Sequence, residues 1–140
     1  MITHSVLLPL AADAAFKLFT AEISQWWPTD RRHTNDPDSN LFLQANGRFF
    51  ERTGNGREVE LGKVTAWEPP RRFALDFYIA TDADHPTVAV ITFEPEAAGT
   101  RVTVIHSSKP ESKDLWGDRA PRYARSWKVV MTALAAAARR

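Results

Sequence analysis

The feature that most constrains this chain is a change of hydrophobic period. The stretches "LFLQA", "RFFERT", "VELGKVTAW", "RFALDFYIA", "TVAVITFEP" and "TRVTVIHS" are rich in β-branched and aromatic residues and alternate at a period of two. They are parted by "NG", "GNG", "EPP", "DADHP" and "EAAG", each of them a turn signal. Such spacing predicts an antiparallel meander of about six strands. The last segment, "DRAPRYARSWKVVMTALAAAARR", shifts to a period of about 3.6 and sets Tyr123, Trp127, Val130, Met131 and Leu134 along one stripe. Pro121 near its start suits a first helical turn, and the closing arginines suit the negative end of a helix dipole. A sheet cannot leave an apolar face in water, and this helix is the cover the chain offers.

Ahead of the meander, "THSVLLPL" predicts a short strand stopped by Pro9. "AADAAFKLFTAEISQWW" then brings Ala15, Phe16, Leu18, Phe19 and Ile23 to one side at helical spacing, with a Thr-Ala-Glu break dividing it into two short helices. Pro28 ends that segment, and "PTDRRHTNDPDSN" is loop by composition. The fold class expected is therefore α+β. A six- to seven-stranded antiparallel sheet is covered by one long C-terminal helix, and residues 1–140 form one domain.

Composition narrows the function. The chain has no cysteine, which removes disulfides, thiol nucleophiles and thiolate metal sites. Its 18 basic and 17 acidic residues are scattered, without the gathered basic face of a nucleic-acid binder. No apolar run approaches the ~20 residues that span a bilayer, and no signal-peptide core opens the chain. The expectation is a cytoplasmic protein that binds neither nucleic acid nor membrane, as a monomer or homodimer. His4, His33, His85 and His106 show no zinc-ligand spacing, and Asp30, Asp36 and Asp38 lack the glycine and terminal glutamate of a calcium loop, so no metal or cofactor is expected.

Strand alternation gives the inner face. Ala89, Ile91 and Phe93 point inward on one strand, Val102, Val104 and His106 on the next, and Phe73, Leu75, Phe77 and Ile79 on a third, leaving Asp76 outside. Glu51 shares its parity with Phe49. Glu51 and His106 are then two ionisable groups directed toward an apolar interior, a pair able to act as acid and base. The plainer alternative has His106 hydrogen-bonded near its strand end and Glu51 paired with Arg48 or Arg52. Trp26 and Trp27 pose a separate question, since adjacent side chains diverge and only one of the two is expected in a core.

Four blocks carry a resemblance: "WWP" at Trp26 to Pro28, "NGRFFER" at Asn46 to Arg52, "GKVTAWEPPRRF" at Gly62 to Phe73, and "GTRVTVIHS" at Gly99 to Ser107, completed by Tyr123 and Trp127. Together they resemble bacterial proteins named after the activator of the heat-shock-protein-90 ATPase, within the START and Bet v 1-like (SRPBCC) superfamily of helix-grip folds. Where such proteins often carry glycine, this chain has Asn46 and Ser126. The resemblance implies a curved sheet wrapped around the long helix, with a cavity between them closed at one end by the short helices. The binding of a small apolar or amphipathic molecule follows as the expected function.

On that footing the expected lining is Trp26, Phe49, Glu51, Phe77, Ile91, His106, Trp116, Tyr123 and Trp127. One of Trp26 and Trp27 would anchor the cap while the other lines the cavity mouth or a partner-facing surface; the alternative packs both against the loop through His33. Two other functions stay open. One is a cyclase, dehydratase or hydrolase using Glu51 and His106, and the other is a chaperone-linked interaction module.

Overall fold

The computed structural model describes all residues from Met1 to Arg140. Seven strands, β1 (Ile2–Leu8), β2 (Asn40–Leu43), β3 (Arg48–Arg52), β4 (Glu58–Glu68), β5 (Arg72–Phe77), β6 (Thr87–Glu96) and β7 (Gly99–Ser108), form one antiparallel sheet in the order β1-β7-β6-β5-β4-β3-β2. The meander is thus intact from β2 to β7, and the first strand closes the far edge by pairing with β7, Ile2 opposite His106 and Leu8 opposite Thr100. Helix α1 (Ala12–Phe19) and helix α2 (Lys113–Ala137) pack on the concave side of the curled sheet.

The curl has a local cause in β4. Phe49 pairs with Gly62 but Phe50 pairs with Glu60, so Leu61 is an extra residue on that strand, and a second shift falls between Val64 and Ala66. Such bulges bend a strand and strengthen its twist. Gly62 is obligatory here, since a Cβ would stand 2.4 Å from the Asp76 carbonyl oxygen on β5.

Twenty-six buried residues make one apolar core. The inward sets expected on β5, β6 and β7 are buried, except that Ile79 lies past the end of β5 and is half-buried, and the α2 stripe of Tyr123, Trp127, Val130, Met131 and Leu134 is buried too. At one end of the sheet α1 covers Phe73 and Phe93, with Phe16 and Phe19 packed edge-on to Phe73 at 5.9 and 5.4 Å between ring centroids. At the other end α2 covers Phe77 and His106.

Two expectations are corrected. The second short helix is only a single 3-10 turn, Ile23–Gln25, followed by another at Thr29–Arg31. Helix α2 begins at Lys113, so Pro121 lies inside it rather than in its first turn. The proline in a leading turn is Pro110, in the 3-10 turn Pro110–Ser112, where the Lys109 N–H donates to Ser112 Oγ at 3.0 Å. Pro121 is tolerated because it and Gly117, whose carbonyl loses its helical donor, both face solvent.

Candidate functional site

Both tryptophans of the pair are buried, Trp26 at 5% and Trp27 at 4% exposure, which corrects the expectation that only one enters the core. The two rings do not diverge but pack against each other at 5.7 Å between centroids, because the irregular backbone after the Ile23–Gln25 turn brings both inward between α1 and α2. Trp26 turns toward α1, donating its Nε1–H to the Leu18 carbonyl at 2.7 Å and packing on Phe19. Trp27 turns toward α2 and meets Trp127 edge-on at 5.9 Å between centroids. Its own Nε1–H donates to the Arg31 carbonyl at 3.2 Å, tying the ring to the Thr29–Arg31 turn.

This cap is held from two sides. The Arg32 guanidinium donates to the Ser24 and Ser39 carbonyls at 2.8 Å each and to the Trp27 carbonyl at 3.0 Å. Glu51, fully buried on β3, accepts from the backbone N–H of His33 at 3.0 Å, the N–H of Thr34 at 3.1 Å and the Thr34 hydroxyl. Burial pushes the carboxyl up, but the hydrogen bonds, led by that of the Thr34 hydroxyl, outweigh it and hold Glu51 below the usual carboxylate range. No arginine is paired with it. Arg48 and Arg52 lie on the opposite face of β3, where they pair with Glu58 and Glu60 and cover the stacked rings of Phe42 and Phe50.

His106 occupies a different place. Its Nδ1 accepts the Trp127 Nε1–H at 2.9 Å, and since tryptophan is only a donor, Nδ1 carries no proton. The proton therefore sits on Nε2, which donates to Thr87 Oγ1 at 2.6 Å, and the threonine hydroxyl reaches on to the Phe77 carbonyl at 3.3 Å. Both ring nitrogens are occupied, and Phe77, Tyr123 and Trp116 surround the ring. Burial pushes this histidine down to about 3, so it is neutral at ordinary pH.

Glu51 and His106 share no hydrogen-bond partner and line no common space, so the expected acid–base pair is not assembled. In the sheet they stand on β3 and β7, with three strands between them.

What the concave side holds instead is a recess of about 60 Å³ among the cap, α2 and the β5–β6 connection. Trp27, Phe77, Tyr123, Trp127 and Val130 form its apolar walls, and Ile79 and Ala80 its far lip. Tyr123 fixes that lip, its hydroxyl donating to the Ile79 carbonyl at 2.8 Å, and Ala80 adopts a left-handed backbone with φ 62°. A single water needs roughly 10–15 Å³ of such space, so the recess is several waters in size. Arg31, Arg122 and Ser126 stand at its mouth, which opens into a wider depression of about 340 Å³ bordered also by Arg32 and Arg125.

Of the residues expected to line a cavity, Phe77, Tyr123 and Trp127 line this recess. Phe49 and Ile91 border only a void of about 10 Å³ deeper in the core, which Phe77 and Trp127 also touch. Trp26, Glu51, His106 and Trp116 line neither, and Trp27 holds the place given to Trp26. Arg31, Ile79, Ala80, Arg122, Ser126 and Val130 were not foreseen. A signal existed for four of these: Ile79 continues the inward alternation of Phe73, Leu75 and Phe77, Val130 lies on the α2 stripe, and Arg122 and Ser126 directly precede Tyr123 and Trp127. No three His, Asp or Glu side chains gather as a metal would require. No helix is long and apolar enough to cross a membrane.

Comparison with solved structures agrees with this architecture. A protein of Nitrosomonas europaea superposes with a TM-score of 0.63 at 14% identity, covering 95% of this chain and 90% of that one. One of Chromobacterium violaceum gives 0.63 at 15% identity, covering 99% and 96%. The AHSA1 protein of Silicibacter pomeroyi gives 0.60 at 17%, covering 96% and 94%. No curated protein matches. At these identities the likeness establishes the fold, which is compatible with ligand binding. The sequence model of the family described as activator of Hsp90 ATPase homolog 1-like protein matches residues 10–139, and the chain belongs to that family.

Proposed function

We propose that this protein binds a small, largely apolar molecule in the recess between the Trp27 cap and α2. The observation that carries the reading is the recess itself. Seven of its ten lining residues are hydrophobic, and it opens to solvent past a few polar side chains, the composition of a small-molecule site. It also lies where three independently held pieces meet: the cap pinned by Arg32 and Glu51, the lip pinned by Tyr123, and the helix pinned through Trp127 and His106. A site built on supported elements is pre-organised, which lowers the entropy cost of binding. The acid–base alternative draws no support from this geometry, because Glu51 and His106 are each occupied in holding structure.

Native mass spectrometry of freshly purified protein tests the reading. A bound small molecule is expected on the wild type and not on Ser126→Phe, whose ring would fill the mouth from an accessible helix position. A wild type that carries no small molecule and takes up none of a panel of single-ring compounds would overturn it.

A further inference from the structure

We propose that the molecule bound is an amphipathic acid: an aromatic or short aliphatic body in the recess, and an anionic end held at its mouth by Arg122 and Arg125 with Arg31. This rests on the recess being a binding site and adds the chemical class of its ligand.

Charge distribution is the first support. The whole chain is nearly balanced, with a formal charge of +1. The depression at the mouth is not. Arg31, Arg32, Arg122 and Arg125 border it against the single acid Asp30, four positive charges less one negative, or +3.

The second support is what those guanidiniums are doing. Elsewhere Arg48 and Arg52 pair with Glu58, Arg72 with Glu68 and Arg101 with Glu96, while Arg57, Arg71, Arg119, Arg139 and Arg140 make no ion pair, but none of these five borders the recess or its mouth. At the mouth, Arg32 is spent on backbone carbonyls. Arg31 pairs with Asp30 through one terminal nitrogen at 3.3 Å, and its Nε is buried without any hydrogen-bond partner. Arg122 and Arg125 meet no carboxylate within ion-pair distance and make no side-chain hydrogen bond to the protein; both are exposed. Free donors at the mouth of an otherwise apolar recess suit a planar anion, because a guanidinium presents paired N–H groups that match carboxylate geometry.

Helical spacing supplies the third. Tyr123 and Trp127, at i and i+4, form one wall of the recess, while Arg122 and Ser126, each one residue earlier, share the next strip of the same helix. One apolar wall of the site and its two free arginines therefore belong to one rigid element. An acid bound with its body against Trp127 would leave its charge beside Arg122 rather than in the core.

The test compares 3-phenylpropionate with its uncharged counterpart 3-phenylpropanamide by tryptophan fluorescence titration. At low ionic strength the acid is expected to bind at least about fivefold tighter than the amide, and the preference should shrink in about 0.5 M NaCl, where the Debye length is only a few ångströms. In the Arg122→Gln/Arg125→Gln double variant, altered only on an exposed helix face, the ratio of the two affinities should fall to about one. Equal wild-type affinities would overturn the anionic end and leave the apolar recess standing. A preference that survives in the double variant would overturn its assignment to these arginines. If neither compound binds, the recess reading fails with it.

Discussion

At the residue scale, the two ionisable groups of the interior are structural, and pH separates their contributions. His106 is held neutral with its value lowered to about 3, whereas in the unfolded chain it titrates near 6.5. A lowered histidine leaves the unfolded state binding the extra proton, so stability falls as pH drops below about 6.5, by up to roughly 1.4 kcal/mol per pH unit. Glu51 acts lower down. Its carboxyl is depressed by its hydrogen bonds, so its stabilisation is present above the unfolded value of about 4.3 and is lost as pH falls through the folded one. Asp36, half-buried, and Glu58 and Asp82, exposed, are also depressed and act in that lower window too. Urea unfolding from pH 8 to pH 4 should therefore show a loss of stability beginning near pH 6.5 in the wild type. His106→Gln, which keeps an acceptor for Trp127 and a donor for Thr87, should lack most of it. An unchanged slope in that variant would show that His106 titrates normally. Glu51→Gln is expected to cost about 1–3 kcal/mol at pH 7, since the Thr34 hydroxyl and two backbone N–H groups would then face an amide in place of a carboxylate. Protease nicking between Arg31 and Asn40 would report the same change as a loosened cap.

At the element scale, α2 carries the second half of the core, and Trp127 is its central contact, buried against Phe77 and Trp27 and bonded to His106. Trp127→Ala should cost on the order of 3–5 kcal/mol, the range for truncating a buried aromatic, and a loss under about 1 kcal/mol in a denaturant melt would contradict the packing described. Elements were also the most legible scale in the sequence. Period-two stretches such as "TVAVITFEP" and "TRVTVIHS" set strand direction and inner face, and Ala89, Ile91, Val104 and His106 are buried on that face. The start of α2 was misread because Pro121 has the chemistry of a first-turn residue. Only the exposure of Gly117 and Pro121 in three dimensions explains why a helix passes through it. The bulge at Leu61 was equally hidden, since "VELGKVTAW" reads as a plain strand until its neighbours fix the register.

At the scale of the whole molecule, the fold was readable and the site only partly so. Alternation tells which side of the sheet a residue faces, but not whether it meets a cavity, a packed ring or a polar loop. Phe77, from the inner face of the sheet, and Tyr123 and Trp127, from the helix stripe, line the recess, while Glu51 and His106, on the same inner face as Phe77, are sealed by Thr34 and by Trp127. Arg31 and Ala80 reach the site through irregular backbone, the Thr29–Arg31 turn and a left-handed alanine, which no periodicity describes, whereas Ile79 continues the inward alternation just past the end of β5. Net charge near zero likewise concealed the local excess of arginine around the mouth. The central claim is that the space between cap and α2 is where a ligand sits. The chain's five tryptophans give it a direct test through their indole N–H signals. Titration with 3-phenylpropionate, followed by two-dimensional NMR, should shift the signals of Trp27 and Trp127, which line the recess, and leave that of Trp67, packed under α1 on Phe16 and Phe73, in place. Movement of Trp67 with Trp27 and Trp127 unmoved, or no movement of any of the five, would contradict it.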